Sequence, residues 1–370
     1  MKRSILIVCD RNGRTSIGHM ALSMRSALLA AGRDAEILWL RVPRYFPAPE
    51  ELPGPSLEAS SLPVGLLSFR AGFRRVLEKR RPDAVLLTHL GLGFLVREVR
   101  KALPEARVGV FVHDVFAQTL YPRSPKYALF NRLFVRGAEK ADFYLYNSEW
   151  TRSQAEALFK TGGRPHATVG CPISPAFADA PEPMTEGERR DFRERRGLEG
   201  FNGLCLTVSL DEERKNLRTF AEIAALRPRI AFVRIGHPSP KLDARARELG
   251  LRNLFGFHGL SDAELRDFYR AADLFVCPSW LEGFGMTPLE ALSCGTPAAV
   301  ARTSALAEIF SEALPTVSPA NDATSWASVL DDAVAGLPVV RPDGVSALLE
   351  RFSPAAFGER LDAAFRRFLS

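Results

Sequence analysis

Short apolar segments alternate with longer amphipathic segments along all 370 residues of the chain. This alternation is typical of parallel sheets whose strands are joined by helices. It begins at residues 4–9 and starts afresh at residue 203, after a stretch with four prolines between 172 and 183. Because 370 residues exceed one ordinary core, we predict an α/β protein with two Rossmann-like, doubly wound domains at 1–172 and 173–352, followed by a helix at 353–370.

The spacing of apolar residues, together with glycine and proline positions, defines the predicted elements. A stretch at 43–63, rich in Pro, Ser and Glu, is predicted to form an exposed excursion. The predicted strands are 4–9, 35–40, 84–88, 108–113, 143–146, 203–209, 230–235, 255–259 and 274–277, and the predicted helices are 19–31, 64–80, 127–139, 149–159, 216–226, 242–249, 261–272 and 354–369.

Composition favours a reducing, cytoplasmic compartment. The five cysteines lack Cys-x-x-Cys spacing, so we expect buried free thiols rather than disulfides or a zinc site. No run approaches the ~20 apolar residues that span a bilayer. The start, Met1-Lys2-Arg3, leads directly into a strand-like segment, so no cleavable signal is predicted.

Charge is divided unevenly along the chain. Residues 1–170 hold 26 Lys and Arg against 15 Asp and Glu, a net +11, and residues 171–370 hold 23 against 28, a net −5. A basic surface attracts anionic lipid headgroups or phosphorylated acceptors. Nothing resembles an RNA- or DNA-binding module, which argues against nucleic acid as a partner.

A predicted basic helix in the first half has two interpretations. Helical spacing places Phe69, Phe73, Val76 and Leu77 on one stripe within residues 69–81, which also carry six cations. The stripe is expected either to be buried in the core or to attach the protein peripherally to an anionic membrane.

Residues 272–297 carry most of the functional information. The predicted strand 274–277 is stopped by Pro278, and Thr287-Pro288 is typical of a helix start. We therefore predict Glu282 in the intervening loop and Glu290 in the first helical turn. The amides of residues 284–287 would point outward from the helix N-terminus, where an anion such as a diphosphate is favoured.

A purely structural interpretation of this helix start also exists. Thr287 and Glu290 have the spacing of a capping box, in which Glu290 reaches back to the N-cap amide. Glu282 is harder to explain structurally, because it follows a buried strand at the sheet edge where open α/β sheets bind ligands.

The whole segment resembles the Glu-x7-Glu signature of the retaining glycosyltransferase family 4, which has the GT-B fold. Its residues 278–285 read Pro-Ser-Trp-Leu-Glu-Gly-Phe-Gly, followed by Leu-Glu-Ala at 289–291 and Gly-Thr-Pro at 295–297. The resemblance implies two domains facing a central cleft, with the C-terminal helix packing back toward the N-terminal domain. It also implies a sugar-nucleotide donor in the C-terminal domain, with Glu290 on the ribose hydroxyls and Glu282 near the donor sugar. The other donor-binding residues implied are Gly283, Phe284, Gly285, Met286 and Thr287.

A second matching segment is Val208 to Leu217, which contains Arg214-Lys215-Asn216. In the family this basic pair meets the donor diphosphate, although many members carry an Arg where Ser209 stands. The alternative is that the pair merely decorates a helix start, but cations there oppose the helix dipole and make an anionic ligand more plausible.

Two further matches lie in the first half. Residues 111–114, Phe-Val-His-Asp, are similar to the family segment that faces the donor sugar, which makes His113 a candidate catalytic residue together with Glu282. Residues 15–19 resemble the family's first Gly-rich loop without its usual Gly-Gly pair, which makes Gly18 a candidate for donor contact.

The resemblance implies glycosyl transfer with retention of configuration, without a required metal and without a cofactor. The expected donor is a GDP- or UDP-hexose of mannose or glucose type, and the expected acceptor is a glycan or a lipid-linked molecule. In motif style the chain is nearest to bacterial mannosyltransferases of surface-polysaccharide assembly. Three alternatives remain: a catalytically weak or dead sugar-nucleotide-binding protein, a GT-B phosphorylase or sugar-phosphate synthase, and a nicotinamide-dependent oxidoreductase, although the chain lacks Gly-x-Gly-x-x-Gly.

Overall fold

The computed structural model describes residues 3–13, 15–41, 52–58, 65–121, 123–161, 163–178 and 184–370. The chain divides into two compact units, the first formed by residues 1–172 and 354–370 and the second by residues 173–353. Most of the predicted excursion at 43–63 lies outside the described residues.

The first unit is built on a parallel sheet of seven strands in the order β3-β2-β1-β4-β5-β6-β7. This order reverses direction between β1 and β4, as in a doubly wound fold. Its elements before residue 172 are β1 (Ser4–Cys9), α1 (Ser16–Ala30), β2 (Asp34–Arg41), β3 (Ser56–Glu58), α2 (Gly65–Arg80), β4 (Ala84–Leu87), α3 (Val96–Ala102), β5 (Arg107–Val112), α4 (Phe116–Leu120), α5 (Pro125–Phe130), β6 (Phe143–Tyr146), α6 (Glu149–Leu158) and β7 (His166–Thr168).

The second unit repeats the architecture with a parallel sheet of six strands in the order β10-β9-β8-β11-β12-β13. Its reversal point lies between β8 and β11. Its elements are α7 (Pro175–Ala178), α8 (Glu186–Arg195), β8 (Gly203–Val208), α9 (Leu217–Leu226), β9 (Ile230–Ile235), α10 (Pro240–Glu248), β10 (Leu254–Phe257), α11 (Asp262–Ala271), β11 (Leu274–Cys277), α12 (Met286–Ser293), β12 (Ala298–Ala301), α13 (Ser304–Phe310), β13 (Thr316–Val317), α14 (Ala323–Val334) and α15 (Pro342–Arg351).

The last helix, α16 (Pro354–Phe368), belongs to the first unit. The Phe368 ring stacks on Phe143 of β6 at 4.7 Å between centroids, and Arg33 Nε lies 2.5 Å from Asp362 Oδ1. The apolar spacing of this helix therefore reflects burial against the first sheet, and the predicted return of the C-terminal helix to the N-terminal domain is confirmed.

The stripe on α2 is part of the core. Phe69, Phe73 and Leu77 are buried in the first unit, and Arg70 and Arg74 lie 3.8 Å and 3.5 Å from the carboxylate of Glu98. The interpretation of this stripe as a membrane anchor is wrong, because its side chains pack in the core of the first unit and are not available to a bilayer.

All five cysteines are buried and free, as predicted. Every helix in the described part of the chain is too short or too polar to cross a membrane.

Candidate active site

The reversal point of the second sheet assembles most of the predicted site. Ligands of open α/β sheets bind beyond the carboxyl ends of the strands at such a point. The loop after β8 carries Arg214 and Lys215, and the loop after β11 carries Glu282. Segments far apart in the chain therefore meet because β8 and β11 are neighbouring strands.

The two cations converge on one carboxylate. Lys215 Nζ lies 2.6 Å from Glu282 Oε1, and Arg214 Nη1 lies 2.9 Å from Oε2. Glu282 is 8% exposed. Burial works against its ionisation, but Lys215 and Arg214 outweigh burial and hold the pKa of Glu282 below its ordinary value. Arg214 also pairs with the exposed Glu212 at 2.6 Å.

Two residues to which sequence reasoning assigned no role hold these loops in place. Asn216 adopts the left-handed region with φ of +53°, and its side-chain amide donates to the carbonyl of Pro278 at 3.0 Å. The Ser304 hydroxyl accepts from the backbone amide of Glu282 at 2.9 Å. Asparagine tolerates left-handed backbone, which is a usable sequence signal; Ser304 offers none.

Ser209, at the position where many family members have an Arg, has a guanidinium beside it. Arg234 Nη2 donates to the Ser209 carbonyl at 2.7 Å, and Arg234 itself is buried. The Ser209 hydroxyl oxygen is buried without a hydrogen-bond partner in the described structure.

Helix α12 begins differently from the prediction. It starts at Met286 after the N-cap Gly285, which has a φ of +115°, and the cap has no side-chain hydrogen bond. The capping-box interpretation of Thr287 and Glu290 is therefore wrong, and Glu290 lies in the second turn rather than the first. The reason is that Gly285 adopts the left-handed region and acts as the N-cap, which places the N-cap two residues earlier than Thr287. A Cβ at Gly285 would also lie 2.7 Å from Phe310 and 2.8 Å from Leu306.

The remaining loop residues divide into buried and half-buried. Gly283 and Phe284 are buried, and the Phe284 ring packs edge-on against Phe352 at 5.0 Å. Phe284 therefore anchors the loop through its side chain. Met286 and Thr287 are half-buried at the helix start.

Glu290 faces a tyrosine that the sequence analysis did not single out. The Tyr269 hydroxyl donates to Glu290 Oε2 at 2.9 Å, and Tyr269 is buried. Burial raises the pKa of Glu290 to about 7, despite this hydrogen bond. The carboxyl group thus changes its charge near neutral pH.

His113 belongs to the first unit and follows β5. Burial, followed by the neighbouring His89, lowers the pKa of His113 to about 3, so the ring is neutral. Its ring hydrogen-bonds to the Thr88 backbone, while Nε2 is buried without a partner among the described residues. The Thr88 carbonyl can only accept, so Nδ1 carries the proton and Nε2 is left as an acceptor.

Gly18 has a structural role. Helix α1 begins at Ser16 rather than at residue 19, so Gly18 lies in its first turn, where its amide donates to Thr15 Oγ1 at 3.1 Å. A Cβ at Gly18 would lie 1.8 Å from the carbonyl oxygen of Asn12. Glycine is needed at this position because the backbone of Asn12 lies too close for any side chain. The contact of Gly18 with a donor stays a prediction.

Sequence reasoning missed a pair at the reversal point of the first sheet. His89 Nε2 lies 2.6 Å from Asp10 Oδ1, directly after β4 and β1, and the Gly91 amide donates to His89 Nδ1 at 3.0 Å. The available signal was the position of both polar residues after neighbouring predicted strands.

The sequence matches two family descriptions. Residues 188–336 match Glycosyl transferases group 1, and residues 15–170 match the Glycosyl transferase 4-like domain. Over 166 residues it is 33% identical to D-inositol 3-phosphate glycosyltransferase 2 of Catenulispora acidiphila, a match covering 39% of each protein. The matched segment therefore spans about two fifths of that relative's length.

Solved structures share the fold over nearly the whole chain. Sucrose-phosphate synthase from Thermosynechococcus elongatus superposes with a TM-score of 0.80 at 17% identity, covering 99% of both chains. The Anabaena protein HepE in complex with UDP and glucose gives 0.75 at 13% identity, covering 98% of this chain and 99% of its own. The GT-B fold that the motif resemblance implied is confirmed.

Proposed function

We propose that this protein transfers a glycosyl group from a nucleotide-diphosphate sugar to an acceptor hydroxyl, with retention of configuration. The observation that carries the proposal is the convergence of Lys215 and Arg214 on the buried Glu282 at the reversal point of the second sheet. Cations at the carboxyl end of a parallel sheet, beside a helix start, suit a diphosphate.

The start of α12 supports an anion at this place. Its first turn contains no acidic residue and its cap no side-chain hydrogen bond. The first amides of a helix lack intrahelical partners and carry the positive end of its dipole. The oxygens of a diphosphate could accept hydrogen bonds from these backbone amides in place of a capping side chain.

Glu290 suits the ribose of the same nucleotide. It lies one turn into α12, and its carboxyl group holds one hydrogen bond from Tyr269. The ionised form retains acceptor capacity for two ribose hydroxyls. Because its pKa is about 7, part of the population becomes ionised as nucleotide binds.

The proposed step is a displacement on one face of the sugar. The bond between the anomeric carbon and the diphosphate oxygen breaks, and a bond from that carbon to the acceptor oxygen forms on the same face. The acceptor proton passes to the departing phosphate oxygen. Lys215 and Arg214 stabilise the leaving charge, Glu282 holds the donor sugar once the phosphates engage the cations, and His113 Nε2 accepts from a sugar hydroxyl. We propose that these cations neutralise the diphosphate without a required metal.

The donor proposed is a GDP- or UDP-hexose of mannose or glucose type, and the acceptor is a glycan or lipid-linked molecule. The HepE structure contains UDP and glucose, which supports a nucleotide hexose. A phosphorylated polyol or sugar is the second acceptor class, favoured by the names of the inositol-phosphate and sucrose-phosphate relatives. Five buried free thiols support a cytoplasmic location.

A donor screen tests the proposal. UDP-glucose and GDP-mannose would be incubated with the protein, with or without inorganic phosphate and with a chelator or Mg²⁺, and released nucleoside diphosphate measured. We expect slow release of nucleoside diphosphate from one of the two donors. An acceptor should accelerate this release, and the chelator should not reduce it. Release that requires inorganic phosphate would indicate a phosphorylase, and binding without any release would indicate a catalytically dead protein.

A further inference from the structure

A second surface of the first unit has no assigned role. Among the described residues, five exposed large apolar side chains fall between positions 120 and 133, with exposed fractions of 39% to 56%. They are Leu120, Tyr121, Leu129, Phe130 and Leu133. Scattered exposed leucines need no explanation, but a cluster of this kind marks an interaction surface.

The same segment is strongly basic. Residues 115–138 contain four cations and no Asp or Glu. All four cations are exposed, and within the described ranges none of them forms an ion pair. They are Arg123, Lys126, Arg132 and Arg136, and together with the five apolar side chains they form what we call the apolar-basic patch.

Further helical turns, Asn131–Val135 and Arg136–Lys140, follow α5, and buried side chains attach this part of the segment to the first unit. Val135 is buried in the core of the first unit, and the Phe134 ring packs edge-on against Phe94 at 5.5 Å. Leu129 and Leu133, four positions apart, point away from this packing, with exposures of 56% and 54%. The exposed Arg132 and Arg136 follow Leu129 and Leu133 by three positions each, so cations and exposed apolar side chains alternate along the segment.

We infer that the apolar-basic patch docks on an anionic lipid bilayer. Leucine and aromatic side chains enter the interface between headgroups and acyl chains, while arginine and lysine meet anionic headgroups. The absence of carboxylates from residues 115–138 removes the repulsion that an anionic surface would otherwise meet.

A second copy of the chain is a poorer occupant. A two-fold interface sets the same patch against itself and would bring four cations against four cations. The inference also goes beyond the proposed glycosyl transfer, because docking needs no donor and is measured without one.

Vesicle sedimentation at low salt tests the inference. The full chain would be mixed with vesicles of phosphatidylcholine alone, or with 30% phosphatidylglycerol added. We expect binding to the anionic vesicles that is at least tenfold stronger than to the zwitterionic ones and that weakens as salt rises. Equal partition to both, or no binding at low salt, would overturn the inference.

Three variants locate the surface. Arg132→Glu with Arg136→Glu, and separately Leu129→Ser with Leu133→Ser, should each weaken binding at least tenfold while the thermal midpoint stays unchanged, because all four side chains are exposed. The control, Arg75→Glu with Lys79→Glu, makes the same charge change on exposed positions of α2 and should retain most of the binding. Loss in the control alone would place the contact on α2 and overturn the assignment.

Two further measurements keep the result interpretable. A tryptophan introduced by Leu133→Trp should shift its emission to shorter wavelength with anionic vesicles, relative to the unsubstituted protein. Light scattering reports self-association: a dimer that the Leu129→Ser with Leu133→Ser variant dissociates, without vesicle binding, would assign the patch to a second copy instead.

Discussion

Lys215 Nζ and Glu282 Oε1 lie 2.6 Å apart, although 67 positions separate the two residues in the chain. Each belongs to a loop at the carboxyl end of one of two neighbouring strands, β8 and β11. The carboxylate thus contacts the two cations that we assign to the diphosphate. Donor binding would release Glu282 toward the sugar as the phosphates replace it.

Neutralising this carboxylate should therefore separate binding from turnover. Glu282→Gln is expected to keep or strengthen nucleoside diphosphate affinity, because Lys215 and Arg214 lose an internal competitor, while kcat falls at least tenfold. Glu213→Gln removes an exposed carboxylate from the same loop and should change neither quantity. Calorimetry and donor turnover measure the two effects. A large loss of nucleotide affinity in Glu282→Gln would contradict the assignment.

The neutral His113 predicts a turnover defect without a histidine titration. Since burial and His89 lower its pKa to about 3, kcat should show no inflection from this ring between pH 5 and 9. His113→Ala should lower kcat at least tenfold, because it removes the unpaired acceptor, and should leave nucleotide affinity within about threefold. An inflection near pH 6.5 that disappears in the variant would refute this role.

Glu290 predicts a pH dependence of stability with a definite sign. Its pKa is raised from 4.5 to about 7, so between these values the folded protein binds more protons than the unfolded chain. Its contribution to stability is present at low pH and is lost as pH rises through 7. Glu290→Gln should therefore raise the thermal midpoint more at pH 8 than at pH 5, relative to the unsubstituted protein.

The same residue links pH to nucleotide binding. Affinity for nucleoside diphosphate should increase from pH 6 to pH 8 in the unsubstituted protein, as Glu290 becomes the better acceptor, and this increase should be smaller in Glu290→Gln. Identical pH profiles in the two proteins would remove Glu290 from the ribose site.

Gly285 is predicted to be intolerant of a side chain. Gly285→Ala places a Cβ at a φ of +115° and 2.7 Å from Phe310, which should cost ~1–3 kcal/mol of stability. Gly187→Ala in α8 is the matched control, because a Cβ there meets no atom within 4 Å and should stabilise the helix by ~0.5–1 kcal/mol. Thermal unfolding of both variants checks the contrast, and equal midpoints would contradict it.

Local patterns predicted nine of the thirteen strands in the described part of the chain and missed β3, β7, β12 and β13. The bounds of β1, β6, β9 and β11 agree with the sequence predictions, because each is a short apolar run flanked by polar, glycine or proline residues. Two helix starts were predicted wrongly. Helices α1 and α12 begin earlier than predicted, because Thr15 and Gly285 act as their N-caps.

Contacts between distant segments could not be predicted from local patterns. The sequence named Arg214, Lys215 and Glu282 separately, but only the strand order brings them into contact. The Asp10–His89 pair was missed for the same reason, because its members are 79 positions apart. The stripe on α2 could not be assigned from the sequence for a different reason. Amphipathic spacing predicts an apolar helix face but does not show whether that face packs in a core or on a bilayer.

Titration calorimetry with UDP and GDP tests the central claim most directly. At least one of them should bind the unsubstituted protein, and Lys215→Ala should weaken that binding tenfold or more, because a charge-assisted hydrogen bond is worth roughly 1.5–3 kcal/mol. Arg229→Ala, an exposed cation preceding β9 at the opposite end of the sheet, should bind like the unsubstituted protein. Equal affinity in Lys215→Ala and the unsubstituted protein, or no binding of either nucleotide, would contradict a donor site at the reversal point of the second sheet.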